Sequence, residues 1–222
     1  MYRLFTSRLL NLFPEAKFIH IIRDPRDNLY SHIKTFKSKN TLFTAMHWMK
    51  YNQGVEKQKK RMPEKYFTLF YEDLVTKPEQ KLKEVCNFLQ VEYSDSMLIN
   101  TFPEAIRKFE GDKDKLELIK VIHQNLMFPI NTSHIGKWEK GLNAYDRTTV
   151  EIISGKFAHE EYGYAISKPV NNKIVPFTKI LKMRCLFFIW EIYTKQRFNY
   201  FGHNMRYYQK KKNKRLAKLT KK

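Results

Sequence analysis

Two short apolar runs alternate with helix-like segments in the first ninety residues. Residues 17–22, KFIHII, and residues 66–70, YFTLF, have the length and apolar content of short strands, and the first run resembles a parallel strand buried on both faces. Apolar residues spaced three to four apart predict helices over 1–12, 24–37, 42–60 and 76–89. An order of strand, helix, strand, helix predicts parallel pairing and an α/β layered domain.

Residues with helix-capping chemistry mark where several of these helices begin and end. Asp24, followed by Pro25, has the pattern of an N-cap, and Thr76 begins a Thr-Lys-Pro-Glu capping box. Beyond residue 90 we expect a helix over 114–125, a loop over 127–141, and a helix that Asp146 caps and Gly163 closes.

Charge divides the 222-residue chain into two regions. Residues 166–222 contain 16 Lys or Arg and one acidic residue, whereas residues 1–165 contain 26 basic and 21 acidic residues. The net charge of +20 therefore belongs mainly to the C-terminal region. We expect a domain over 1–165, and a basic, aromatic-rich helical extension over 166–222.

Cysteine content and hydropathy exclude several classes of protein. Two cysteines imply no disulfide framework, and Cys86 lies on an apolar helix face as a core residue would. The longest apolar run, residues 185–193, is far shorter than the roughly 20 residues of a spanning helix. The first residues lack the continuous apolar segment of a signal peptide. We expect a cytoplasmic protein, and a peripheral location on a membrane surface is the alternative.

The stretch FIHIIRDPRDNLYSH is the first candidate site. Arg23 follows a predicted strand, and ligands of open α/β sheets bind at the carboxyl ends of strands. The next helix directs free N–H groups towards the same crevice, and Ser31 follows about two turns later. A planar guanidinium suits a phosphate group. The alternative is a salt bridge between Arg23 and Asp24 or Asp27, with Ser31 on a solvated face.

Two further segments carry candidate chemistry. In FYEDL, Tyr71 can pack on a planar base, while Glu72 and Asp73 are either general bases or, as we favour, acceptors for backbone N–H groups. The segment NTSHIGKW, residues 131–138, suits a lid over an anionic aromatic ligand, or else is an ordinary loop held by a buried tryptophan.

Together the three segments resemble one family, the sulfotransferases that use 3′-phosphoadenosine-5′-phosphosulfate (PAPS). The match spans about residues 4–165 and is as close to the bacterial, carbohydrate and tyrosyl-protein branches as to the cytosolic branch. It implies a three-layer, P-loop-like parallel sheet, sulfuryl transfer to a hydroxyl or amine, and no metal. It also implies nucleotide-binding roles: Arg23 and Ser31 on the 3′-phosphate, Tyr71 on adenine, and Ser133, Gly136 and Lys137 in the loop over the phosphates.

The resemblance covers only the nucleotide half of that family's site. Its phosphosulfate-binding loop, with a lysine between a strand and a helix, has no counterpart here, and no glycine precedes Gly54. The residues before Arg23 include Glu15 and His20, and we expect His20 to be a packed strand residue. We therefore expect an N-terminally incomplete sulfotransferase, inactive alone, and we assign no catalytic residue.

Two other functions remain as alternatives. In the first alternative, the chain is a non-catalytic module that binds adenosine 3′,5′-bisphosphate. In the second, it is a basic peripheral protein that contacts an anionic membrane, a nucleic acid or another polyanion through residues 168–222. The last twenty residues hold nine basic and no acidic side chains. We favour a solvated tail there, and residues 184–193 have the pattern of an amphipathic helix.

Overall fold

The computed structural model describes residues 6–36, 40–99, 128–165 and 175–193. They form a helix-rich α/β arrangement with a small parallel sheet. The elements up to residue 98 are α1 (Thr6–Leu12), β1 (Phe18–Ile22), α2 (Pro25–Phe36), α3 (Thr41–Lys59), a 3₁₀ turn (Pro63–Lys65), β2 (Tyr66–Phe70), α4 (Tyr71–Thr76), α5 (Pro78–Leu89) and a second 3₁₀ turn (Asp95–Leu98). After residue 128 come α6 (Trp138–Gly141), α7 (Ala144–Val150), a π-helical turn (Glu151–Gly155) and α8 (Lys156–Tyr162).

The two predicted strands pair in parallel, as expected. Their register runs from Phe18 opposite Tyr66 to Ile22 opposite Phe70, so both strands end at the same edge. Burial on both faces of β1 was a wrong expectation for the described residues, because the side chain of Ile21 is 57% exposed. The sheet nevertheless places the residues that follow both strands side by side.

Helix α3 covers the other face of β1. Ile22, Trp48 and Ala158 form a buried cluster that joins β1, α3 and α8. His20 is a packed strand residue, as expected, and its Nε2 lies 2.7 Å from Oδ1 of Asn52 in α3. Burial lowers the pKa of His20, and the hydrogen bond to Asn52 opposes that shift. The imidazole is therefore part of the packing between strand and helix.

The helix boundaries agree with the sequence at Asp24 and differ at two other caps. The carboxylate of Asp24 accepts the backbone N–H of Arg26 at 2.8 Å, as an N-cap does. Thr76 was wrongly expected to start a helix, because its hydroxyl donates to carbonyls inside α4 and Lys77 precedes α5. Asp146 was wrongly assigned as a cap, because Asn143 occupies that position and accepts the N–H of Asp146.

The chain from α7 to α8 forms one helical rod with a π-helical turn at Glu151–Gly155. Such a turn accommodates one extra residue, so side chains beyond it are rotated relative to an unbroken α-helix. The rod ends at Gly163, whose φ of 73° is left-handed, as the sequence predicted.

The chain separates into two compact units, residues 1–176 and residues 177–222. Within the second unit, residues 177–193 are helical. The part of the chain that the structure describes contains no helix with the length and hydropathy needed to cross a bilayer. The helix expected over 114–125 lies outside the described residues.

Candidate functional site

Arg23 and Tyr71 meet at the carboxyl edge of the sheet because each follows the end of a strand. The Arg23 guanidinium lies 4.4 Å from the centre of the Tyr71 ring, a cation–π contact. Its Nη2 donates to the carbonyl of His134 at 2.6 Å, and its Nε is buried without a partner among the described residues. Burial raises the pKa of Tyr71, while Arg23 acts to lower it. This arginine is held in place and keeps an unused donor.

Asp24 and Glu72 form a second link between the residues that follow the two strands. The backbone N–H of Asp24 donates to Oε1 of Glu72 at 2.9 Å, and the Tyr164 hydroxyl donates to Oε2 at 2.9 Å. Burial, followed by the charge of Glu72, raises the pKa of Tyr164 well above its ordinary range. Both carboxylate oxygens of Glu72 are thus engaged, which agrees with the role of hydrogen-bond acceptor rather than general base.

The ion pair anticipated for Arg23 is formed by Arg26 instead. Nη2 of Arg26 lies 2.6 Å from Oδ2 of Asp24, and Nε lies 3.0 Å from Oδ1, so the pair is bidentate. Nη1 of Arg26 is 3.5 Å from Oε1 of Glu151, a buried residue of the π-helical turn. Arg26 is therefore neutralised from two sides.

Asp27 connects the loop over 131–138 to the first turn of α2. Its carboxylate accepts the N–H of Gly136 at 2.7 Å and the N–H of Trp138 at 3.0 Å. Gly136 has a φ of 70°, a left-handed conformation that favours glycine. Burial raises the pKa of Asp27, although the two N–H donors and Arg23 oppose that shift. The carboxylate joins segments more than 100 residues apart in the sequence.

Trp138 packs against two guanidinium groups. Its ring centre lies 3.9 Å from Arg26 and 4.8 Å from Arg147, and the residue is 7% exposed. Two cation–π contacts favour this buried position. The loop is therefore held by a buried tryptophan, as one of the two interpretations expected, and it also reaches Arg23. Its role as a lid over a ligand stays a prediction.

Positive charge gathers around His134. Burial lowers the pKa of His134, and the charges of Lys137, Arg23 and Lys34 lower it further. Ser31 lies in α2 four residues after Asp27 and three before Lys34, so helical spacing puts the three on one face. The side of α2 that faces the loop therefore carries Ser31, and the cations Arg23, Lys34 and Lys137 lie near His134.

Ser133 has a different environment from the other candidate residues. It is exposed, and its hydroxyl donates to Oδ1 of Asn131 within the loop. Lys137, which is partly exposed, precedes α6. Among the described contacts, the backbone N–H of Gly136 donates to Asp27, whereas the Ser133 side chain makes a hydrogen bond within the loop.

Sequence reasoning missed several residues that build this edge. Sequence reasoning paired Asp24 with Arg23 rather than with Arg26, and the second partner of Arg26, Glu151, lies 125 positions away. Tyr164 had no recognisable spacing signal, since its partner lies 92 positions away. Trp48 donates its indole N–H to the carbonyl of Arg23 at 3.1 Å. An open cavity of about 850 Å³ adjoins the edge, and its lining includes Asp24, Arg26, Asp27, Glu72, Trp138 and Tyr164. The described residues contain no cluster of His, Cys, Asp and Glu suited to a metal ion.

Residues 4–95 match the model of the sulfotransferase family. A putative protein-tyrosine sulfotransferase of Caenorhabditis briggsae is 33% identical over 101 residues, which are 43% of this chain and 36% of that protein. The protein-tyrosine sulfotransferase of Drosophila melanogaster is 26% identical over 143 residues, 60% of this chain and 27% of that protein.

A solved structure shares the fold. The sulfotransferase domain of the Synechococcus PCC 7002 olefin synthase superposes with a TM-score of 0.54 at 21% identity, covering 74% of this chain and 55% of that chain. The chain spans only about a third of the length of the two curated relatives named above. The family match contains β1, the Arg23 turn and the Tyr71 strand end, so the residues of this edge that lie within 4–95 are similar to the sulfotransferase family.

Proposed function

We propose that this chain is a sulfotransferase that binds PAPS at the carboxyl edge of β1 and β2 and transfers its sulfuryl group to a hydroxyl or amine. The family match and the sulfotransferase fold support the reaction class. The curated relatives are named for protein tyrosine, so a tyrosine hydroxyl in a peptide is the first acceptor to test. A P-loop-like layering and a cytoplasmic location remain predictions.

The environment of Arg23 is the observation that carries the proposal. Among the described residues, no carboxylate lies within ion-pair distance of its guanidinium, whereas Arg26 is paired with Asp24 and Glu151. The ring of Tyr71 and the carbonyl of His134 fix the Arg23 side chain without neutralising its charge. A positioned, unneutralised arginine at a helix N-terminus suits a phosphate dianion.

The other candidate residues would complete the nucleotide site. Ser31 would donate its hydroxyl to the 3′-phosphate, and Tyr71 would contact adenine beside the guanidinium. Gly136 would let the loop close over the nucleotide, with Lys137 adding charge and Ser133 lying near the phosphates. Bound PAPS would supply the activated sulfuryl group, and the residues named here would hold its nucleotide end. No metal is part of the proposal.

Calorimetry with adenosine 3′,5′-bisphosphate tests this assignment, with adenosine 5′-monophosphate as the ligand that lacks the 3′-phosphate. We expect the wild-type chain to prefer the bisphosphate, and Arg23→Ala to weaken bisphosphate binding by about 10- to 100-fold, the value of a charge-assisted hydrogen-bonded contact. Binding of the monophosphate should change little. Lys57→Ala, at an exposed position of α3, is the matched control.

Equal affinity of the wild-type chain for both nucleotides would overturn the 3′-phosphate assignment. Circular dichroism of each variant would separate loss of binding from loss of fold. Transfer is a separate measurement, in which the chain is incubated with PAPS and a tyrosine-containing peptide. Binding without transfer would support the non-catalytic module, and transfer by this chain alone would refute the expectation that it is inactive.

A further inference from the structure

Residues 177–193 form a helix with apolar side chains on two faces. Ile180 and Phe187 are buried, at 7% and 1% exposure, and the ring of Phe187 lies 5.1 Å from that of Trp190. A second set of apolar residues is largely exposed: Phe177 at 70%, Leu181 at 50%, Phe188 at 64%, Ile189 at 61% and Ile192 at 41%. We call this second set the outer face.

The outer face forms one arc of the helix that also includes the exposed Thr178, with Arg184 and Glu191 on one side and Lys182 on the other. At about 100° per residue, the positions 177, 181, 188 and 192 fall within roughly 60°, and positions 185 and 189 widen this arc to about 120°. Arg184 lies beyond one side of the arc and Lys182 beyond the other by the same spacing. An apolar arc between cations is the pattern of a helix that lies in a membrane interface.

We propose that the outer face docks the chain on an anionic lipid surface, with the helix parallel to the bilayer. The apolar arc would enter the boundary between headgroups and acyl chains, and the flanking cations would meet lipid phosphates. Residues 194–222 hold 11 Lys or Arg and no Asp or Glu, which adds charge of the sign that anionic lipids attract. This docking is independent of nucleotide binding by the first unit.

Lipid fits the outer face better than the other occupants. Nucleic acid would use the cations but leaves five large apolar side chains exposed, since most protein contacts to it are to phosphate and sugar. A second copy of the helix would cover the apolar arc but would bring Lys182 and Arg184 close to the same cations of its twin. An anionic membrane satisfies both the apolar and the charged groups.

Cys185 provides a direct measurement on the full chain. It is exposed and lies within the outer face, whereas Cys86, the other cysteine, is buried. A polarity-sensitive fluorophore on Cys185 should shift to the blue with vesicles of phosphatidylcholine and phosphatidylserine. Pure phosphatidylcholine should give a much weaker response. Addition of double-stranded DNA without vesicles should leave the emission wavelength unchanged.

Two variants separate the apolar from the charged contribution. Phe177→Ser with Phe188→Ser should weaken vesicle binding by at least about tenfold, since each removes buried apolar surface. Lys182→Glu with Arg184→Glu should weaken binding to anionic vesicles by at least about tenfold, because two cations at the surface become anions. Lys57→Glu with Lys77→Glu makes the same change of charge at exposed positions of the first unit, and we expect a much smaller effect.

Three results would overturn the proposal. Vesicles that bind the Phe177→Ser, Phe188→Ser variant as well as the wild type would assign the binding to charge alone. A blue shift caused by DNA alone would assign the face to nucleic acid. Sedimentation that shows a dimer dependent on Phe188, together with no vesicle binding, would assign it to a second copy.

Discussion

Arg23 and Arg26 lie three residues apart, and their surroundings differ completely. Arg26 is buried, makes a bidentate ion pair with Asp24, approaches Glu151 and covers Trp138. Arg23 rests on Tyr71 and donates to a carbonyl, with Nε left unpaired among the described residues. The difference teaches that one turn of sequence supplies both an ion-paired arginine and an arginine that keeps an unused donor, the one proposed to bind the nucleotide. Their partners, rather than their position at the strand end, separate the two roles.

The largest expected effect is the loss of stability in Arg26→Ala. Removing this guanidinium leaves the carboxylates of Asp24 and Glu151 buried without their cation, which typically costs about 3–5 kcal/mol. Arg23→Ala removes a hydrogen bond and a ring contact, so we expect a loss of only about 1 kcal/mol. Urea unfolding of both variants measures the contrast. Equal losses would remove the distinction between the two arginines.

Asp27→Asn tests the carboxylate that joins α2 to the loop over 131–138. An amide has one acceptor oxygen in place of two, so one of the N–H groups of Gly136 and Trp138 loses its partner, at a cost of about 1–3 kcal/mol. Thr148 is buried outside this contact, and Thr148→Ser provides a mild control for unfolding measurements.

The pH dependence of that cost has a defined sign. Burial raises the pKa of Asp27 in the folded protein above its ordinary value of 3.8, so the folded state holds the proton more tightly than the unfolded chain. Proton binding by Asp27 therefore adds to the free energy of unfolding. This contribution is fully present below the pKa of the unfolded chain and is lost as pH rises through the pKa of the folded protein. The stability advantage of the wild type over Asp27→Asn should therefore shrink as the pH rises from about 4 through the folded pKa of Asp27. An advantage that grows over this range would mean that the N–H donors outweigh burial.

Gly136→Ala should cost about 1 kcal/mol through its left-handed backbone, since the added carbon would meet only Oε1 of Glu139, at 3.9 Å. Gly163→Ala is a matched control, because its φ is 73° and the added carbon would meet nothing within 4 Å. We expect similar losses of stability in urea, with weaker bisphosphate binding for Gly136→Ala only. Unchanged bisphosphate binding by Gly136→Ala would contradict the proposal that the loop contacts the nucleotide.

Lys137→Ala should have the smallest effect on stability, within about 0.5 kcal/mol, because its side chain is partly exposed. Its charge lowers the pKa of His134, so the variant should raise that pKa in an NMR titration. Bisphosphate affinity should fall about three- to tenfold, and more at low salt than at high salt. Lys140→Ala, at an exposed position of α6, is the control. No change in the pKa of His134 would mean that the Lys137 charge does not lie close to His134.

The sequence predicted local features far better than long-range pairs. Both strands, the Asp24 cap and the Gly163 end depend on neighbouring residues and were confirmed. The Thr76 cap failed because YEDLVT, residues 71–76, folds into a helix directly after β2, so the threonine hydroxyl donates back to carbonyls of that helix.

The candidate edge was predictable as a location but not as a set of partners. Parallel strands place Arg23 and Tyr71 together, and the sequence shows both. The pairing of Arg26 with Asp24 is local, whereas the contact of Arg26 with Glu151 and that of Asp27 with Gly136 depend on how the chain after residue 128 packs on α2. No periodicity records contacts across more than 100 residues.

Trp48 links the buried core to the Arg23 turn. Its ring belongs to the cluster with Ile22 and Ala158, and its indole N–H holds the carbonyl of Arg23. Replacement by phenylalanine would preserve an aromatic packing partner and leave that carbonyl without its donor. The side chain at position 48 therefore fixes the backbone of the Arg23 turn and at the same time contributes to the buried core.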